Sequence, residues 1–369
     1  MASFTSPKSS PAIPVPGRGR SLSRRITPYL YLAPAFIIMG LITFYPMAYQ
    51  IWMSGTNYGV RSLNPRSATY QAPEWVGAQN YLNILISGLP GETGESISRT
   101  LEGLFGLEAG TLKGLPTIPN FSFINMLIFN LWWTFSNVIF HVALGIVIAV
   151  ILNIEGLWGR AIYRAIYILP IVIPSLIIAT VWRNMYDPDF GAINQLLRIF
   201  GALFNLPPEL FAIRWIDQVE PPFSPLPLPL SYFAMLITNI WLGWPFMTIV
   251  ATGALQSIPK DLYEAASVDG ASGLQKFWSI TLPMLRPAMV PAAVLGIITT
   301  FNLFHIIYFI SGGGPLRQTE ILVTTAFRLV NENRLYGMAA AFCVYIFIVL
   351  LLLTMLTNRI TRATESYDA

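Results

Sequence analysis

Six neutral polar side chains interrupt the long apolar runs of this chain: Asn130, Asn137 and His141, then Asn239, then Asn302 and His305. Each costs free energy in hydrocarbon unless it meets a partner or water. Amides and imidazoles flanked by aromatic rings suit a sugar, whose hydroxyls exchange hydrogen bonds and whose C–H faces stack on rings. Trp241 and Phe301 are expected to stack, Asn302 and His305 to hydrogen-bond. Taken singly, an Asn in such a run is more often interhelical glue than a ligand contact. The runs contain no Asp, Glu or Lys, and Arg164 lies at an edge. Ion-coupled carriers keep ionisable groups within the membrane as relays. Their absence points to energy supplied from elsewhere, and two histidines without carboxylates make a metal site unexpected.

A second group stands in a polar stretch, 257–287, wedged between two apolar runs. Ser257 is a candidate cap and Pro259 fits a first helical turn. A short helix from about Lys260 should follow, ended by Gly270 at positive φ. Leu274 to Ile280 can form a second helix, closed by Pro283. Two short helices joined at Gly270 make a knob. Ala265 and Ala266 allow a partner's groove to approach closely, Glu264 and Asp269 offer charge, and Phe277 and Trp278 are the expected apolar anchors. The chain has no G-x-x-x-x-G-K-[ST] phosphate loop, so nucleotide-derived energy must come from another polypeptide. It also lacks G-x-S-x-G, H-E-x-x-H and any carboxylate pair in the apolar runs, which argues against an intramembrane enzyme.

The elements that position these residues follow from hydropathy. The chain is 54% apolar and 11% charged, against about 25% charged in soluble domains. Six segments reach the ~20 residues needed to cross a bilayer: Tyr29–Ile51, Ile124–Leu152, Ile162–Val181, Tyr232–Leu255, Met289–Ile310 and Met338–Leu356. The expected fold is therefore an all-α, polytopic membrane helix bundle with six transmembrane helices. Residues 1–27 are expected to be a disordered cytoplasmic segment, 28–54 the first span, 55–123 an extracytoplasmic cap, 124–358 a core of five spans and 359–369 a cytoplasmic tail. Lys and Arg are retained on the cytoplasmic side. With both termini inside, that side carries twelve basic and six acidic residues, the outside ten and twelve. Lone Cys343 permits no disulfide within the chain. Phe190, Ile193, Leu196, Leu197, Phe200 and Phe204 form an apolar stripe beside Asn194, Gln195 and Arg198, as in a helix at the outer interface. Pro170 and Pro174 can kink the third span, and Ser311 to Pro315 reads as a Gly-rich external turn. No internal repeat is evident.

The spacing in the knob resembles the EAA loop of ATP-binding-cassette import permeases: Glu264-Ala265-Ala266, then Gly270, then Ile280, Leu282 and Pro283. Beyond the loop, Tyr163-Arg164, Ile168-Leu169-Pro170 with Pro174, Asn239-Ile240-Trp241-Leu242-Gly243 with Pro245, Phe301-Asn302-Leu303-Phe304 and Gly313-Gly314-Pro315 resemble the permease forming one half of bacterial maltose importers. The resemblance runs from about Leu127 to Arg359. It implies a type I ABC importer permease fold in a bacterial cytoplasmic membrane. It also implies a second homologous permease, two cytoplasmic ATPase subunits and an external sugar-binding protein. No cofactor is implied on this chain, ATP and Mg belonging to the ATPase partners, and no nucleic acid is expected. Positions corresponding to Trp241, Leu242, Gly243, Phe301 and Asn302 line the sugar site in that family. His305 stands where the pattern has Asn, and Ile171 where it has Tyr, which leaves the sugar open. The competing reading is a stand-alone sugar carrier driven by an ion gradient.

Overall fold

The computed structural model describes residues 22–89, 91–114, 118, 121–223 and 225–361. The expectations for 1–21 and for 362–369 lie outside these residues. The chain divides into two compact units, Met1–Trp52 and Met53–Ala369.

The first unit holds most of helix α1, which runs from Leu22–Met39 through a π turn, Gly40–Phe44, into Tyr45–Ser54. It begins inside the stretch expected to be disordered: Leu22, Arg24 and Arg25 are good helix formers, which a reading from Ser and Pro content overlooks. In the π turn the Tyr45 N–H reaches back five residues to the Gly40 carbonyl, and Pro46 follows. The same arrangement recurs at Phe277–Thr281, where Leu282 donates to the Phe277 carbonyl and Pro283 follows. Proline lacks the N–H of a regular helix and clashes with the carbonyl four residues back, and a widened turn accommodates both defects.

In the second unit α2 (Gln79–Ile86) and α3 (Gly91–Phe105) precede α4 (Phe123–Leu152), whose N-terminus is capped by the Ser122 hydroxyl accepting from the Asn125 N–H. Next come α5 (Arg160–Val172) and α6 (Ser175–Met185), bent by 98°. The single span expected over Ile162–Val181 is thus two helices. The break falls at Ile173-Pro174, because the residue before a proline is driven to extended backbone; Ile173 has ψ 130°. Pro170 stays inside α5.

Helix α7 (Ala192–Leu203) lies in the connection to α8 (Leu230–Gln256). After α9 (Lys260–Val268), α10 runs unbroken over Gly273–Phe301. This corrects two expectations. Pro283 does not close a second loop helix, since the π turn carries the helix through it. The fifth span does not continue smoothly to Ile310 either: the helix stops at Phe301, and short turns, Phe304–Ile306 and Ile307–Ser311, follow. Helices α11 (Leu322–Asn331) and α12 (Tyr336–Thr361) complete the unit. Among the described residues no strand extends beyond one antiparallel bridge, Thr56 to Trp75. Among the described residues five helices are long and apolar enough to cross a membrane, in addition to the bent pair α5–α6. The chain is a helical, multi-pass membrane protein.

Helices α4 and α8 form the centre. A Cβ at Gly145 would strike the Met247 side chain and backbone, so glycine permits the close crossing. One apolar cluster joins Val138, Ile297, Phe301, Leu322 and Phe342, and a second joins Trp133, Tyr186, Tyr232, Met235 and Ile306. A third joins Ile146, Met247, Leu285 and Met289, with Phe277, Ile280 and Leu282 of the loop packed against it.

Candidate functional site

The knob is built from two complete end motifs. At the end of α9, Gly270 takes φ +77°. The Ala271 N–H donates to the Ala266 carbonyl at 2.9 Å and the Gly270 N–H to Ser267 at 3.1 Å. This is the doubly bonded left-handed termination that glycine favours. One residue later Ser272 starts α10 with a capping box: its hydroxyl accepts from the Gln275 N–H at 3.3 Å, and the Gln275 side chain accepts from the Ser272 N–H at 2.7 Å. Lys276 donates to the Ser267 hydroxyl at 2.6 Å, and the Tyr263 and Thr281 hydroxyls lie 2.9 Å apart. An exposed pair, Lys260 to Glu155 at 2.5 Å, links α9 to the connection before α5. It raises the Lys260 pKa and lowers that of Glu155, through their hydrogen bond first.

Ser257 does not cap α9 as expected. It terminates α8, its hydroxyl donating to the Ala254 carbonyl at 2.7 Å, and Pro259 takes the N-cap position. Glu264, Ala265, Asp269 and Gly270 are exposed and Ala266 half-buried. Trp278 is 60% exposed, but Phe277 turns inward with Ile280 and Leu282 against the core, so it ties the knob down instead of presenting a free anchor. The apolar surface is completed by Val268 and Leu274, 88% and 69% exposed. Sequence reasoning missed both, although each flanks the Gly270 turn that projects them.

Within the spans three of the six polar groups, Asn137, His141 and Asn239, are linked to one another. The Asn239 amide donates to Asn137 Oδ1 at 2.7 Å, Asn137 donates to the Trp133 carbonyl at 2.7 Å, and His141 Nε2 lies 2.9 Å from the Asn239 carbonyl. These links lock α4 to α8. Asn130 donates to the Phe301 carbonyl at 3.2 Å and accepts from the Leu322 N–H at 2.9 Å. It thereby satisfies the backbone at the end of α10 and the start of α11, the accounting that a helix end in an apolar setting demands.

Beside this network lies a cavity of about 260 Å³, lined by His141, Asn239, Leu242, Gly243, Phe246 and Thr299 among others. Gly243 is essential to its shape, because a Cβ there would overlap the His141 ring. The expected substrate residues do not all converge. Leu242 and Gly243 line this cavity, whereas Trp241 lines a second one of about 530 Å³ with Tyr167, Pro170 and Trp244. The Trp241 and Trp182 rings are 5.8 Å apart. The Phe301 ring is 0% exposed, inside the first apolar cluster, and is therefore not free to stack on a ligand in this conformation. Asn302 is half-buried at the helix break, its amide 3.4 Å from the Ile298 carbonyl, and His305 is half-buried with Phe304 edge-on at 6.4 Å. Neither lines the two cavities. Thr299 was not anticipated; its position three residues before Asn302, on one helix face, is the signal that could have found it.

At the opposite end of the core from the knob, the turn after Ser311 is tied down by ionic contacts. Glu320, buried, pairs with Arg328 Nε at 2.7 Å and with Arg317 at 3.7 Å. Burial pushes its carboxyl up, against the two guanidinium groups. Arg328 also reaches the Gly312 carbonyl and, at 2.8 Å, Glu332. Within α3, Glu102 is buried but accepts from the Leu112 N–H at 2.8 Å and the Gly110 N–H at 3.1 Å, which hold its carboxyl below the ordinary range.

A family model described as binding-protein-dependent transport system inner membrane component matches residues 141–365. The maltodextrin transport system permease protein MdxF of Bacillus subtilis (strain 168) is 30% identical over 322 residues, 85% of this chain and 64% of MdxF. The chain thus spans less than two thirds of that relative's length. The trehalose/maltose transport system permease protein MalF of Thermococcus litoralis is 36% identical over 230 residues, 62% of this chain and 72% of that one. A crystal structure of a bacterial ABC transporter involved in the import of the acidic polysaccharide alginate matches in fold, with TM-score 0.66 at 19% identity, covering 93% of this chain and 98% of that one. The family match over more than half of the residues makes this chain a member of the binding-protein-dependent transport system inner membrane components.

Proposed function

We propose that this chain is the permease subunit of an ATP-driven importer of neutral sugars, of the maltose or maltodextrin class or a related oligosaccharide. In this reading the 257–287 loop is the coupling element, and the chain holds no cofactor; ATP and Mg act on two cytoplasmic ATPase subunits. A second homologous permease completes the pathway and an external binding protein delivers the sugar. The chain crosses a bacterial cytoplasmic membrane six times, counting α5–α6 as one bent span, with both termini inside and 55–123 as an external cap.

The observation that carries the reading is mechanical. Helix α10 has its capped start in the knob and its last residue, Phe301, immediately before Asn302. Its 29 residues give about 44 Å of continuous helix at 1.5 Å per residue. A push on Leu274 and Trp278, both on α10, therefore travels along one continuous helix to the Asn302 break. Displacement of that break relative to α8 changes the space among His141, Asn239, Gly243 and Thr299, which is how a switch between two packed arrangements opens or closes a pathway. The absence of carboxylates and lysines from the spans suits a neutral cargo, and the relatives' names supply the sugar class.

The test is uptake of labelled maltodextrins into proteoliposomes holding the assembled complex, with binding protein outside and ATP within. ATP-dependent uptake is expected, reduced at least tenfold by Gly270→Val. Equal uptake in vesicles lacking the ATPase subunits overturns the reading in favour of a gradient-driven carrier.

A further inference from the structure

Helix α7 is turned inside out relative to a helix in water. Its covered side carries Asn194, wholly buried, which donates to the Pro188 and Ile213 carbonyls at 3.1 and 2.9 Å and accepts from Trp215 Nε1 at 2.8 Å. The same side carries Gly201, on which the Phe211 ring rests so closely that a Cβ would overlap it. The open side carries Leu196, Ile199, Phe200 and Leu203, all exposed, the last two at 62% and 72%. At 3.6 residues per turn these four fall within an arc of about 100°. Arg198, the one charged residue between 190 and 206, is half-buried and projects away from that arc. A helix that spends its interior on a hydrogen-bonded Asn and its surface on Leu, Ile and Phe is not built to face water.

The position of α7 narrows the occupant. It lies between the end of α6 and the start of α8, beginning seven residues after Met185, and the Tyr186 hydroxyl donates to the Ala234 carbonyl within the first turns of α8 at 2.6 Å. The segment therefore sits at the membrane surface on the side opposite the knob, which follows the other end of α8. Protein interfaces carry about one hydrogen bond per 100–200 Å², and this arc offers no side-chain donor or acceptor. Acyl chains require none.

We propose that the Leu196–Leu203 face of α7 is embedded in the boundary between headgroups and acyl chains of the leaflet opposite the knob, with lipid as its occupant.

The test uses the assembled complex carrying Cys343→Ala, with single cysteines at 195, 196, 200 and 203 bearing nitroxide labels, in vesicles of phosphatidylethanolamine and phosphatidylglycerol. Labels at 196, 200 and 203 are expected to collide several-fold more with oxygen, which concentrates in lipid, than with a water-soluble nickel chelate, and the label at 195 to show the reverse. Free access of the chelate to 200 and 203 would place the face in water, and protection from both reagents would place a protein subunit on it. Either result overturns the proposal. Since none of the three side chains belongs to a core cluster, a label that disturbs one position leaves the other two to decide.

Discussion

The two ends of α10 obey opposite rules. The end at Ser272 is exposed, and its backbone is satisfied locally by a capping box and by the left-handed termination of α9 next to it. The end at Phe301 is buried, and its backbone is satisfied from a distance by the Asn130 amide of α4. Where water is available, a helix end can be stabilised by a few neighbouring residues and projected as a handle. Where it is not, the same unpaired groups must be paired across the fold, and the break becomes part of the tertiary structure. The handle is rigid in itself; the break is only as fixed as its partners.

That contrast can be broken most sharply at Gly270. A β-branched residue at φ +77° costs at least 1–2 kcal/mol and removes the left-handed termination. Gly270→Val is expected to reduce ATP-coupled uptake at least tenfold while leaving membrane insertion intact; wild-type coupling in proteoliposomes would refute the assignment of the knob. At the other end, Gly243→Ala pushes a methyl group into the His141 ring, an overpacking of about 1–3 kcal/mol. Uptake should fall several-fold with the ATPase subunits still co-purifying, and loss of those subunits would mean that Gly243 serves the fold alone.

Removing the cap with Ser272→Ala costs about 1 kcal/mol. It should reduce coupling by less than Gly270→Val, because the Gly270 termination remains; an equal loss would show that the two motifs act as one unit. The two buried carboxylates beyond the spans separate by pH. Glu102 has a lowered pKa, so the stability it adds is present above the ordinary carboxylate range and lost as pH falls through its folded value. Glu320 has a raised pKa, so its contribution has the opposite sign and is lost as pH rises through its folded value. Thermal denaturation at stepped pH should show the acid-side loss shrinking in Glu102→Gln but not in Glu320→Gln. The smallest effect is expected for Glu155→Gln, since solvent screens a fully exposed ion pair and leaves it little net stabilisation; a large loss of coupling would give that contact a role in transmission.

The amino-acid sequence by itself determined the long apolar helices, the polar knob between two of them, the glycine that ends α9 and the neutral character of the interior. Each of these is written in composition or in spacing along a few turns, where hydropathy and local backbone preference decide. Tertiary structure alone decided that Phe277 turns inward while Val268 and Leu274 project, that the Phe301 ring is buried, that Trp241 and Gly243 face separate cavities, and that Ile173-Pro174 becomes a sharp corner. It also decided that the amides of Asn130, Asn137 and Asn239 pair with neighbouring helices. The physical reason is common to all: a side chain's type states what it requires of its surroundings, but which neighbour meets that requirement depends on residues far away in the chain.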